Sequence, residues 1–329
     1  MTERFGWIDH AKGIAILLVV IGHVWLGLYQ AGVIEVTPLF SWVIDWIYAF
    51  HMPLFFVLAG MLASRSVAAK SLGAFLASKG RTIVYPYFVW SIIQTGLQLV
   101  FRSEVNHAEN WSAILSIAYK PVGQFWFLYS LFVLYVMFGA LRALRCPVYG
   151  FVLLSFGLYL MSRAEFWPWE VAQGVASYGV FFALGVISEP QRIMHLVPGI
   201  SKVIIVTVVA FAILSVAISY GWHLPLFGRL VIGVCGITGV LGLSLVIAKW
   251  RPTLFTSCLG RHSLAIFLAH TIFAATLRTV LLKLGLAQPW LQLCMGILIG
   301  LLGPLVLVWT ERRLGRPFLF TWPSRRIVK

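Results

Sequence analysis

Three histidines stand deep inside apolar runs of this chain. His23 ends the stretch DHAKGIAILLVVIGH, residues 9 to 23; His51 opens HMPLFFVLAG; His270 ends GRHSLAIFLAH. Ionisable groups are costly inside a membrane, so each is a functional candidate by default. Neutral imidazole near pH 7 is a general base, a proton relay or a metal ligand. Two buried histidines can also clamp a haem, but no second histidine stands at such a spacing on any of the three runs. His262 shares a run with His270 and sits at its end. His10 and His262 are expected near the membrane interface, and His107, His195 and His223 in loops or at helix ends, all as ordinary surface residues. Asp45, shortly before His51, could orient a histidine, bind a polar acceptor or simply mark an interface.

Lys12 and His23 are eleven residues apart. On a helix that spacing returns to within roughly 20° of the start and separates the two by about 16 Å along the axis. They share one face, with Lys12 at the interface and His23 near mid-membrane. Snorkelling alone accounts for such a lysine, and a helix-packing hydrogen bond for such a histidine. His51 and His270 fall at a similar depth in their own runs. Depth alone does not make the three neighbours. Further along, Lys79 and Arg81 precede the run TIVYPYFVW. They serve as positive-inside anchors, or join Lys12 in holding a polyphosphate donor, since arginine binds phosphate through paired N–H groups.

The elements that must position these groups are membrane helices. Of 329 residues, 60% are hydrophobic and 11% charged, against roughly 25% charged in soluble domains. The mean hydropathy is +0.93. Ten apolar segments are expected, at about 13–32, 41–63, 82–101, 123–144, 147–162, 173–188, 203–220, 228–248, 262–282 and 290–310, the fifth and sixth being short for a core of about 30 Å. The first is longer than a signal-peptide core, so it is expected to stay as a span. Nothing alternates as barrel strands do. The fold class is therefore all-α, a polytopic integral membrane protein in a single domain over 1–329.

Ten spans put both termini on one side. Arg102, Lys120, Arg163, Arg229, Arg278 and Lys283 fall on the other; the remaining Lys and Arg, including Arg4, Arg192, Arg316, Arg325, Arg326 and Lys329, fall with the termini. The positive-inside rule makes that side cytoplasmic. The net charge of +15 thus belongs to topology and anionic headgroups, and no nucleic-acid partner is expected. Glu35, Glu165 and Glu170 are expected solvated on the outer side. Four scattered cysteines, Cys146, Cys235, Cys258 and Cys294, form no CxxC pair, so neither a zinc knuckle nor a disulfide framework is suggested. No internal repeat of the kind that builds many transporters is visible.

The blocks WIDHAKGIAILLVVIGH, FHMPLFFVLAG, KGRTIVYPYFVW, GQFWFLYSLFVLYV and LGRHSLAIFLAH, in that order along nearly the whole chain, resemble the membrane acyltransferase family 3, and within it the fucose 4-O-acetylase-like group. The resemblance implies a ten-helix bacterial inner-membrane enzyme. Such an enzyme moves an acyl group, often acetyl, from cytoplasmic acyl-CoA to a hydroxyl of a sugar or glycolipid. The family's first helix carries an arginine, ten residues, then a catalytic histidine. Here His23 matches the histidine and Lys12 replaces the arginine, as is common in the fucose acetylase-like members. The family's basic residue ahead of the third helix maps to Arg81, and Ala59 stands before Gly60 where many members have serine.

On that basis His23 is the expected base or acyl relay, with His51, His270 and Asp45 as further catalytic candidates that orient it or donate to the oxyanion. Lys12, Lys79 and Arg81 would hold the CoA phosphates. The expected partners are acyl-CoA, a glycan or lipid-linked sugar acceptor and membrane lipids, with no metal or prosthetic group. Trp126 belongs to an interfacial aromatic belt or stacks on a sugar. The rival readings are a proton-coupled transporter and a glycan flippase, which would use the histidines as relays and need no acyl-CoA.

Overall fold

The computed structural model describes residues 5–101, 111–162, 167, 169–191, 193, 199–220, 225–315 and 318–323. Arg4, Arg102, His107, Arg163, Glu165, Arg192, His195, His223, Arg316, Arg325, Arg326 and Lys329 lie outside the described residues. A chain surrounded by lipid must satisfy its own backbone, and every regular element among the described residues is helical. The protein is an all-α, multi-pass membrane protein. Nine helical stretches among those residues are long and apolar enough to cross a bilayer.

The first stretch is α1 (Gly6–Gln30). The second is α2 (Pro38–Tyr48) followed by α3 (His51–Ala68), and the third is α4 (Leu72–Lys79), a π-helical turn at Gly80–Val84 and α5 (Tyr85–Val100). A short α6 (Ser112–Ser116) precedes α7 (Trp126–Ala143). Then follow α8 (Val148–Met161), α9 (Glu170–Ile187), α10 (Ile200–Ser219) and α11 (Leu226–Trp250). A short α12 (Phe255–Arg261) leads into α13 (Ser263–Lys283) and α14 (Pro289–Arg313).

The short α8 is the expected fifth segment, and its 14 residues rise only about 21 Å. It nevertheless joins the two ends of the bundle. Val148 lines a hollow with Ser64, Lys70 and Leu72. At the other end the Tyr159 hydroxyl donates to the Leu226 carbonyl at the start of α11, 2.7 Å away, and the Gln173 amide donates to the Ser162 carbonyl at 2.6 Å. The sixth segment is longer than expected, since α9 begins at Glu170 and runs 18 residues.

Two helix pairs are held by direct backbone contact. A Cβ on Gly60 would lie 2.1 Å from the Phe182 carbonyl oxygen, and one on Gly185 would lie 2.0 Å from that of Val57, so α3 and α9 touch through a glycine on each side. Gly13 against Thr256 and Gly260 against Asp9 do the same for α1 and α12, with Cβ clearances of 1.8 and 1.7 Å. In lipid, where burying apolar surface gives no net drive between helices, such small-residue contacts and the dispersion they allow supply the packing. The second pair also fixes the start of α1 against the loop end that carries Arg261. Arg65 lies over the Phe5 ring at 4.8 Å, and the Trp322 N–H donates to the Arg81 carbonyl at 3.3 Å. Residues 5 and 322 therefore reach the same, basic end of the bundle.

Candidate active site

His23, on α1, and His270, on α13, meet at mid-helix. His23 Nδ1 is 2.8 Å from His270 Nε2, and the rings are 9° from parallel with centroids 5.0 Å apart. The second nitrogen of His270 decides the proton arrangement. His270 Nδ1 lies 2.9 Å from the carbonyl oxygens of both Ile266 and Phe267. A carbonyl only accepts, so we assign the proton of neutral His270 to Nδ1. Its Nε2 is then an acceptor, and His23 Nδ1 must donate to it. The remaining nitrogen of His23, Nε2, carries a lone pair. His270 is fully buried and His23 only partly so. The inner His270 thus holds the tautomer of His23.

The third histidine is one aromatic ring away. The Tyr48 ring is 4.7 Å from that of His51 and 6.5 Å from that of His23, lying over Gly22, where a Cβ would meet it at 3.0 Å. The expected continuous second segment is broken between Tyr48 and His51. Pro53 explains the break, because it offers no N–H to the Ala49 carbonyl and its ring clashes there. His51 Nδ1 donates to the Ile47 carbonyl at 2.8 Å, which fixes its tautomer in the same sense. The structure does not bring Asp45 to any histidine. Its side chain is exposed on α2, and its carbonyl accepts the Ala49 N–H at 3.0 Å.

His23 and His270 line a cavity of about 600 Å³ that runs along α1, α5 and α13 away from the basic end. Its polar wall is an amide cluster. Gln124 Nε2 donates to Gln94 Oε1 and to Thr271 Oγ1, each at 3.0 Å. Gly123 makes this possible: it holds φ at +50°, and a Cβ there would press on the Gln94 amide at 3.1 Å. Gln98 and Gln292 also line the cavity, each with a buried Oε1 that has no hydrogen-bond partner among the described residues. Beyond them stands Arg278, whose Nη1 donates to the Gly27 carbonyl at 2.9 Å. None of these polar groups stands out from sequence alone. The signal was a set of amides and one arginine inside apolar segments.

At the basic end the structure brings Lys12 and Lys79 within Coulomb range of one another, together with Lys70. Lys79 Nζ lies over the Tyr135 ring at 4.0 Å and the Phe75 ring at 5.5 Å, a placement that suits a desolvated cation. Arg81 is exposed within the π-turn. Pro86 has no N–H for the Arg81 carbonyl, which accepts from Trp322 instead. The segment Phe318–Trp322 lies against this end. Glu311, buried on α14, accepts from the Phe318 N–H and, at 2.5 Å, from the Leu319 N–H. Tyr85 and Trp90 donate to the carbonyls of Phe318 and Leu319, both at 2.8 Å.

Two further expectations change. His10 is no surface residue: it is fully buried between α1 and α12, with Nδ1 2.7 Å from Thr256 Oγ1, because the glycine contact draws the two helices together. Trp126 belongs neither to an exposed belt nor to the cavity wall. It stacks on Tyr178 at 5.2 Å, which stacks in turn on Phe56 at 5.1 Å.

The His23–His270 pair thus sits at one end of a mainly apolar cavity with an amide cluster in its wall, inside a multi-pass helical bundle. The chain belongs to the acyltransferase family 3: the family model described as an acyltransferase domain matches residues 5–309. It is 28% identical over 135 residues to nodulation protein NolL of Mesorhizobium japonicum (strain LMG 29417 / CECT 9101 / MAFF 303099), covering 40% of this chain and 35% of that protein. To nodulation protein NolL of Sinorhizobium fredii (strain NBRC 101917 / NGR234) it is 31% identical over 143 residues, covering 41% and 37%. The matches thus span little more than a third of those relatives. No solved structure matches the chain.

Proposed function

We propose that this membrane acyltransferase takes an acyl group, acetyl in the simplest case, from acyl-CoA at the basic end and transfers it to a sugar hydroxyl of a cell-surface or exported glycan. The basic end faces the cytoplasm of a bacterial inner membrane, and the cavity faces outward. The observation that carries this reading is the His270–His23 pair, which leaves His23 Nε2 as a basic atom on a residue that lines a cavity rich in amides.

Lys12 and Lys79, with Arg81 beside them, hold the CoA phosphates, and the pantetheine arm reaches from there towards His23. The acceptor hydroxyl gives its proton to His23 Nε2 as its oxygen attacks the thioester carbonyl. The carbon–oxygen bond forms, the carbon–sulfur bond breaks, and the proton passes from His23 to the departing CoA thiolate. The imidazolium formed in between keeps its Nδ1–H on His270 Nε2, a charge-assisted hydrogen bond. His51 is a second neutral imidazole behind Tyr48.

The test is transfer of labelled acetyl-CoA to glycan in membranes, comparing wild type with His23→Ala at equal expression. Label in glycan for wild type and at least about a hundredfold less for the variant is the expected result, in line with loss of a general base. Equal transfer by both would remove His23 from the mechanism.

A further inference from the structure

We propose that the hollow at the basic end, between the last turns of α3 and α7 and the starts of α4 and α8, is a binding site for an anionic glycerophospholipid of the adjacent leaflet. The proposal does not rest on the acyltransferase reading.

The hollow has a volume of about 300 Å³. Its lining is largely apolar, with the buried Phe75 and Phe138 rings as its floor and Val67 and Val148 beside them. The lining runs on into exposed apolar surface. Leu72 lines the hollow and is 37% exposed, and Leu144 and Tyr149, next in the chain to the lining residues Ala143 and Val148, are 78% and 68% exposed. Apolar surface of that kind marks contact with the membrane.

Two cations, Lys70 and Arg142, line the same hollow, and both are exposed. Lys70 Nζ donates to Ser78 Oγ at 3.4 Å, and Arg142 Nη1 to the Cys146 carbonyl at 2.8 Å. Both acceptors are neutral. Lys70 also stands within Coulomb range of Lys79, and no Asp or Glu lines the hollow among the described residues. A guanidinium carries five N–H groups, so Arg142 keeps a fork for phosphate oxygens. The positive-inside rule explains why Lys and Arg stand at this end. It does not explain why two of them share a hollow with a phenylalanine floor.

A phosphodiester that carries acyl chains satisfies both halves, its phosphate between Lys70 and Arg142 and its chains along the apolar lining. Basic pockets between membrane helices bind lipid headgroups in this way. A free nucleotide suits the cations but brings ring nitrogens that need hydrogen-bond partners, and Ser64 is the one neutral polar side chain lining the hollow among the described residues. Occupancy bears on the neighbouring lysine. The Phe75 ring lies 5.5 Å from Lys79 Nζ, and α4 is packed on α7 at Gly139, where a Cβ would meet Leu72 at 3.0 Å and Phe75 at 3.3 Å. A lipid in the hollow thus braces α4, the element that positions Lys79.

The test is native mass spectrometry of the full chain, purified in a neutral detergent and stripped of lipid. The probes are dioleoyl phosphatidylglycerol, dioleoyl phosphatidylcholine, glycerol 1-phosphate and adenosine 3′,5′-bisphosphate. Phosphatidylglycerol is expected to bind about tenfold or more tightly than phosphatidylcholine, as two cations beside one headgroup should give, and tighter by a similar factor than glycerol 1-phosphate, which lacks the chains. Lys70→Gln combined with Arg142→Gln should remove the preference between the two lipids, and Lys70→Arg combined with Arg142→Lys should keep it. Lys249→Gln combined with Arg251→Gln removes the same charge from exposed positions at the same end and should also keep it, all proteins being monodisperse. Equal affinity for the two lipids, or a preference that survives Lys70→Gln with Arg142→Gln, overturns the proposal. So does an equal loss in both charge-removing pairs, which would mean diffuse attraction alone. Tighter binding of the bisphosphate than of the lipid would give the hollow to a nucleotide and overturn it as well.

Discussion

Which nitrogen of His23 holds the proton decides what that residue can do, and the answer comes from carbonyls on another helix. Ile266 and Phe267 fix the tautomer of His270, and His270 fixes that of His23. His270 is thus a positioning residue in this reading. His270→Ala leaves His23 Nδ1 without its acceptor and frees the tautomer. It should lower kcat for acyl transfer by about ten- to a hundredfold while KM for acyl-CoA stays near wild type, as expected for a group that acts through the base. Initial rates at varied acetyl-CoA would show the split. At the other end of α1, Lys12→Gln and Lys79→Gln should do the reverse, raising KM for acyl-CoA several-fold with a smaller change in kcat. A KM unchanged in both variants would take the phosphates away from these lysines.

At the scale of the element, the helices carry the site through a few contacts with no spare volume. Replacing Gly60 or Gly185 with Leu forces α3 and α9 apart, because a Cβ alone already falls about 2 Å from a facing carbonyl. Overpacking of this kind costs about 1–3 kcal/mol or more. Both variants should melt below wild type in detergent, whereas Gly73→Leu, with open space at its Cβ, should not. The buried Glu311 gives a second element-scale prediction. Its carboxylate takes two backbone N–H groups of the segment that lies against Tyr85 and Trp90. In Glu311→Gln an amide replaces a charged acceptor, and the strap should loosen. Faster maleimide labelling of a cysteine placed at Phe320, with the native cysteines replaced, would show it. Unchanged labelling would mean the aromatic contacts suffice.

For the molecule as a whole, the count of crossings depends on α8. Its two ends touch opposite ends of the bundle, so cysteines at the exposed Pro147 and Met161, with the native cysteines replaced, should react with a membrane-impermeant reagent from opposite sides. Reaction from one side alone would make the chain nine-spanning and would separate its termini.

Sequence by itself determined the solvent and the element type. The long apolar runs with 11% charge can only be lipid-embedded helices, because no other open structure satisfies its backbone there. The eleven-residue step from Lys12 to His23 also follows from helix geometry alone, and so does the shared depth of the three histidines. Tertiary structure decided which of these groups meet. His270 touches His23 while His51 stays behind Tyr48, Asp45 faces away, and His10 is buried by a glycine contact that no local pattern announces. The amide wall is assembled from α5, α13 and the turn before α7, each contributing one or two polar residues that look incidental on their own helix. Depth and face are properties of a single helix and can be read from its residues. Contact depends on which helices pack together and how closely, and in lipid that is set by small-residue and polar contacts between helices distant in the chain.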